Sequence, residues 1–144
     1  LLADWQSDFQ IEKCYLYQLR YQSCLHPRPL ILEAQRQLAN DLEEVAIMST
    51  SNANHDGCHF EYVDGYQDLG DRMYRLLAID LYNGDPINAK APDVNGIENT
   101  NTNEYTLEFS NISGSLAIEG FPWNDFVIEG TSATVISGFA DGNN

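Results

Sequence analysis

The apolar residues of this chain change their spacing once, near Ser49, and that change limits the folds open to it. Before it, Trp5, Phe9, Leu16 and Leu19 recur at intervals of three, four or seven. Ile31, Ala34, Leu38, Leu42 and Val45 do the same. This is the spacing of helices that bury one stripe. Between the two sets stands His26-Pro27-Arg28-Pro29, which breaks or kinks the chain and sets Pro29 at the first turn of a second helix running to about Met48.

After Ser49 the spacing becomes two. The stretch CHFEYVDG alternates Cys58, Phe60 and Tyr62 with His59, Glu61 and Val63, and RMYRLLAIDLYNG reads as an apolar strand ending in the turn signal Asn83-Gly84. EYTLEFSN, GSLAIEG, NDFVIEG and SATVISGF follow, each short, rich in β-branched or aromatic residues and bounded by Gly, Asn, Pro or Ser. The reading is α+β in one domain, residues 1–144. A helical region at 1–50 packs on an antiparallel meander at 57–140, and a long polar loop at 85–103 interrupts the meander.

Twenty-two acidic residues against seven basic ones give a formal charge of −15. No Lys or Arg follows Lys90, whereas eight Asp or Glu do. Nucleic-acid binding draws its affinity from basic contacts to phosphates, so this balance argues against it and against docking on an anionic membrane. No apolar run approaches the roughly eighteen residues needed to span a bilayer. A membrane link is expected only through an N-terminal segment missing from the sequence, whose Leu1-Leu2-Ala3 start reads as a cut end.

The segment SNANHDGCHFEYVDG sets His55, Asp56, Cys58 and His59 within five positions. As a metal site these would be adjacent ligands, which rarely close a tetrahedral shell by themselves. As structure, NANHDG is an exposed connection and Cys58 the inward first residue of a strand, and this second reading is the stronger. Asp85, Asp93, Asn95 and Glu98 offer hard oxygens for calcium but lack the spacing of an EF-hand loop. Tyr62, Tyr66, Tyr74, Tyr82 and Trp123 would suit sugar stacking if they shared a surface. No GxSxG elbow occurs, and no nucleophile, base and oxyanion donor can be named together, so the chain is read as a non-enzyme without a cofactor.

The three cysteines, Cys14, Cys24 and Cys58, show neither CxxC nor zinc spacing. On one continuous helix Cys14 and Cys24 would lie about 15 Å apart, beyond the roughly 7 Å between Cα atoms that a disulfide tolerates. Cys24 beside the proline break and Cys58 at the first strand are therefore the expected pair, formed outside the cytoplasm, with Cys14 free. A helix break before Cys24 would favour the local pair instead.

The helix ILEAQRQLANDLEEVAIM, the Cys-led CHFEYVD and the Tyr74-Arg75-Leu76 stretch running to Asn83-Gly84 together resemble the minor pilins and pseudopilins of type IV pili and type II secretion machines, over about residues 30–85. The resemblance implies a membrane-anchored helix upstream and a periplasmic or cell-surface head. It also implies a non-catalytic role as one subunit among others in a filament or pseudopilus. The competing expectation is a small secreted carbohydrate-binding or carbohydrate-active protein using the loop carboxylates and exposed aromatics.

Overall fold

The computed structural model describes residues 2–20, 29–85, 89–118, 120, 126, 128 and 130–142. It is a mixed α+β structure. Two compact units, Leu1–Ala91 and Pro92–Asn144, divide the chain.

In the first unit the order is α1 (Leu2–Phe9), β1 (Cys14–Tyr17), α2 (Pro29–Asp41), β2 (Val45–Met48) and α3 (Gln67–Tyr82). Strands β1 and β2 pair in parallel, Cys14 opposite Val45 through Tyr17 opposite Met48. A parallel pair needs a crossover of a dozen or more residues, and the segment containing α2 is that crossover. Val45 and Met48 are only 5% and 3% exposed. With Ala53, Leu69, Leu76 and Ala89 they make up the buried apolar set among the described residues.

Several expected elements are corrected here. The first helix stops at Phe9, where Gln10 takes a left-handed φ of 53° while its amide still donates to Gln6. Cys14-Tyr15-Leu16-Tyr17 is then extended rather than helical. The helix begun by Pro29 ends at Asp41 rather than Met48, and Val45-Ala46-Ile47-Met48 turns into β2. In both places a run of β-branched or aromatic residues gains more from a paired, buried strand than from another helical turn.

The larger correction is α3, where a strand is expected. Leu69 and Leu76 are its buried residues, seven apart on one face, and Asp68 and Arg72 form an i, i+4 ion pair. Leu, Met, Arg and Ala are strong helix formers, and sixteen residues is too long for an ordinary strand. Asn83, at φ 51°, caps the helix in the left-handed conformation. The amides of Asn83 and Gly84 both reach the Ala78 carbonyl, so Asn-Gly ends a helix here and makes no hairpin.

CHFEYVDG also departs from its expected strand. Beyond one bridge between His55 and Phe60 it makes a turn, followed by an irregular turn over Tyr62–Tyr66 with Asp64 at φ 57°.

The second unit holds β3 (Asp93–Asn101) and β4 (Glu104–Ser110), an antiparallel pair joined through Thr102 and Asn103. EYTLEFSN is a strand as expected, and its partner lies inside the stretch expected to be loop, because backbone pairing compensates the polarity of DVNGIENTN. The expected strands at GSLAIEG and NDFVIEG fall partly outside the described residues, whereas SATVISGF lies wholly within them and is not a strand. Among those described, no ladder forms there.

Polar contacts tie β1 to α3. Tyr15 donates its hydroxyl to Asp80 Oδ2 at 2.8 Å, Lys13 Nζ lies 2.7 Å from the same oxygen, and the Tyr17 hydroxyl donates to the Leu69 carbonyl at 3.1 Å. The hydrogen bond from Lys13, then that from Tyr15, hold the Asp80 carboxyl below its usual range against a partial desolvation. Desolvation, then the Asp80 contact, push Tyr15 up to about 12.

Because the folded Asp80 value is depressed, its contribution is present above about pH 4 and is lost as pH falls through the folded value. Asp80→Asn should therefore cost about 0.5–1.5 kcal/mol at pH 7, a small figure because the pair is part-exposed. Urea unfolding of both proteins at pH 7 and pH 3 checks this, and the difference should narrow at the lower pH. Tyr15 works in the opposite sense: its contribution is full below about pH 10 and fades as pH rises toward its folded value.

Candidate functional site

Ligands of open α/β units settle outside the carboxyl ends of parallel strands. In the first unit that end is built from the chain leaving β1, Gln18 to Arg20, and the chain leaving β2, Ser49 to Tyr66. The Gln18 amide donates to the Met48 carbonyl, and the Thr50 hydroxyl returns a bond to the Gln18 carbonyl at 3.0 Å, so the two exits are fastened together. Gln18 Nε2 donates to the Leu32 carbonyl, and the Leu19 amide donates to Gln35 Oε1, which fixes the first exit to α2. Arg72 of α3 donates to the Ser49 and Ser51 carbonyls at 3.2 and 2.7 Å, fixing the second exit to α3.

Asn54 organises the rest of the second exit. Its amide donates to the Asp64 carbonyl, its carbonyl accepts from the Glu61 amide, and its side-chain Nδ2 donates to the Val63 carbonyl. Phe60 meets Tyr66 edge to face with centroids 5.8 Å apart. Within this frame Asp56 Oδ1 accepts from the Cys58 and His59 amides at 2.9 and 2.7 Å, while the Asp56 amide donates to the His59 carbonyl. Those amides, His59 first, hold the Asp56 carboxyl below its ordinary value. The His55 ring accepts from the Gly57 amide at Nδ1, 3.0 Å away, and Gly57 has the φ of +103° that this turn requires.

Arg20 arrives from the other exit. Its Nη2 donates to the Gly57 carbonyl, its Nη1 lies 3.2 Å from His55 Nε2, and its guanidinium sits over the Phe60 ring, 5.7 Å from the centroid. The sequence supplies no sign of this meeting, since Arg20 and His55 are 35 positions apart and joined only by the strand pairing.

The residues singled out from sequence are only partly brought together. His55, Asp56, Cys58 and His59 share one turn, but Asp56 is occupied by backbone amides and Cys58 is disulfide-bonded. Among the described residues no three His, Cys, Asp or Glu side chains come together as a metal would need. Cys14 is a free thiol, and Cys24 lies outside the described residues.

Asp93 and Glu98 stand along one extended strand, opposite Ser110 and Thr106, with Asn95 at a bulge between them. Five residues of strand separate Asp93 from Glu98 by roughly 16 Å, so they do not share an ion, and Asp85 belongs to the first unit. Tyr62, Tyr66, Tyr74 and Tyr82 are exposed on the first unit, on two successive elements rather than on alternate positions of a sheet. Trp123 lies outside the described residues.

The second unit presents a two-faced ribbon. Ile97 opposite Leu107, Asn99 opposite Tyr105 and Val94 opposite Phe109 place apolar side chains on one face. Glu98 opposite Thr106 and Glu108 opposite Gly96 make the other face acidic. Ile97 and Tyr105 are 68% and 61% exposed, so much of the apolar face meets solvent.

The rigidity of the Asn54 frame is testable at two glycines. A Cβ on Gly65 would stand 2.5 Å from the Asn54 carbonyl oxygen and 3.3 Å from Phe60 Cβ. Gly65→Ala should thus destabilise the protein by about 1–3 kcal/mol. Gly70, within α3, meets nothing within 4 Å, and Gly70→Ala should stabilise by about 0.5–1 kcal/mol. Thermal and urea unfolding of both variants check the pair, and equal effects would contradict the packing around Asn54. No family model, curated protein or solved structure matches this chain.

Proposed function

We propose that this chain is a non-catalytic, extracytoplasmic binding and assembly domain that docks other protein subunits through the ribbon of its second unit. The observation that carries the reading is the half-exposed apolar face of β3 and β4, with Ile97 and Tyr105 outermost and Glu98 and Glu108 on the reverse. A lone two-stranded ribbon is marginal in water until a third strand or another surface covers its apolar face. Among the described residues no third strand pairs with the ribbon, and strand edges offer backbone groups for such an addition. The acidic reverse face keeps the ribbon soluble and directs docking to one side.

The pilin-like reading is retained here only as this assembly role. Of the segments behind the resemblance, the Cys58 stretch is a turn, and Tyr74-Arg75-Leu76 belongs to α3. Placement outside the cytoplasm is supported by the disulfide at Cys58, since such bonds persist in oxidising compartments.

Two experiments test the proposal. Photo-crosslinking amino acids at Ile97 and Tyr105, installed in the native cell, should give protein adducts, and one at Glu98 should give few. Adducts equal on both faces, or none at all, would sink the docking face, and saturable glycan binding that protects Ile97 would move the reading to a carbohydrate-binding module. Non-reducing peptide mapping should recover one Cys24 to Cys58 peptide with Cys14 unmodified and alkylatable. Three alkylatable thiols in protein taken directly from cells would overturn the compartment.

A further inference from the structure

In this acidic chain no carboxylate pairs with Arg20 among the described residues. Lys13, Arg36 and Arg72 each hold one, at Asp80, Glu33 and Asp68. Arg20 instead rests on the Phe60 ring, spends Nη2 on the Gly57 carbonyl and aims Nη1 at His55 Nε2. The nearest acid in sequence to that turn, Asp56, has Oδ1 committed to the amides of Cys58 and His59.

The contact between Arg20 and His55 does not balance as a hydrogen bond. The Gly57 amide donates to His55 Nδ1 at 3.0 Å, so the lone pair of that nitrogen is used and the proton of a neutral ring belongs on Nε2. A guanidinium has five N–H donors and no acceptor. Nη1–H and Nε2–H therefore converge as two donors 3.2 Å apart, with no acceptor between them. A single oxygen placed about 2.8 Å from each would accept from both, and if it carried negative charge both bonds would be charge-assisted.

The surroundings suit such an oxygen. The pair lies at the carboxyl end of β1 and β2, where a βαβ unit leaves room for a ligand. Phe60 supports the guanidinium face, and the Gly57 carbonyl holds its second nitrogen, so the donor is oriented before any ligand arrives. We propose that Arg20 Nη1 and His55 Nε2 form a site for an oxyanion, a carboxylate or a phosphate group. The net charge of −15 opposes any free anion, so the ligand must bring further contacts or bind weakly by itself.

The test uses the intact, oxidised, ¹⁵N-labelled protein. Long-range ¹H–¹⁵N spectra, with the ring assigned through His55→Asn, report which nitrogen carries the proton. The site requires the proton on Nε2. A proton on Nδ1 would mean that His55 simply accepts from Arg20, and would overturn the proposal.

Sodium acetate and inorganic phosphate are then titrated at constant ionic strength against sodium chloride. Saturable shifts at His55 Nε2 and the Arg20 guanidinium that chloride does not reproduce are expected. Acetate alone assigns a carboxylate ligand, phosphate alone a phosphorylated one, and both together the shared oxyanion chemistry. Shifts equal to those in chloride overturn the site. Arg20→Gln, checked for folding by circular dichroism, should weaken the response at least about tenfold, as loss of one charge-assisted donor requires. If that variant does not fold, the tautomer and the saturation of the unmodified protein still decide.

Discussion

The first unit depends on the parallel pairing of two four-residue strands, Cys14–Tyr17 and Val45–Met48. Everything else in that unit is arranged by it. It turns the residues between them into a crossover, so α2 is bound to return over the pair. It buries Val45 and Met48, the strand residues of the apolar set. Tyr15 and Tyr17 are carried to α3, where their hydroxyls find Asp80 and the Leu69 carbonyl. The pairing also decides which loops meet, because both strands point the same way and their exits leave from one edge. Arg20 and His55 become neighbours for that reason alone.

Polar satisfaction rather than apolar area holds the exits in place. The buried apolar set is short, and the loop after β2 is exposed over most of its length. Asn54, Thr50, Gln18 and Arg72 each donate a side-chain hydrogen bond to a backbone carbonyl of the exits or of α2. Such networks are directional, so they fix positions in a way that a few buried side chains could not. A pre-oriented guanidinium at Arg20 is one consequence.

The second unit poses the opposite case. Its ribbon is well paired along the backbone but leaves Ile97 and Tyr105 in solvent, and its charges are all of one sign. A chain segment without a single Lys or Arg cannot balance its acids internally, so Glu98 and Glu108 stay outward and the apolar face is the only one free of like-charge repulsion. The docking proposed for that face rests on the alternation of the strands as much as on their composition.

The sequence by itself determined what depends on local chemistry. Pro29 begins a helix, EYTLEFS makes a strand, helix and sheet mix in one chain, and the acidic excess argues against phosphate-rich partners. Where a stretch satisfied two local patterns at once, only tertiary structure chose. CYLY and VAIM each fit the helical spacing around them, yet became strands because each was the other's partner across 31 residues. RMYRLLAIDLY is apolar enough for a buried strand, and became part of α3, whose Leu69 and Leu76 reach the core together only at helical spacing. Asn83-Gly84 favours a left-handed residue in either role, and the helix before it decided which. The Arg20 and His55 pair had no local signal at all. Proximity between distant residues is a property of strand direction and crossover, which no short pattern encodes.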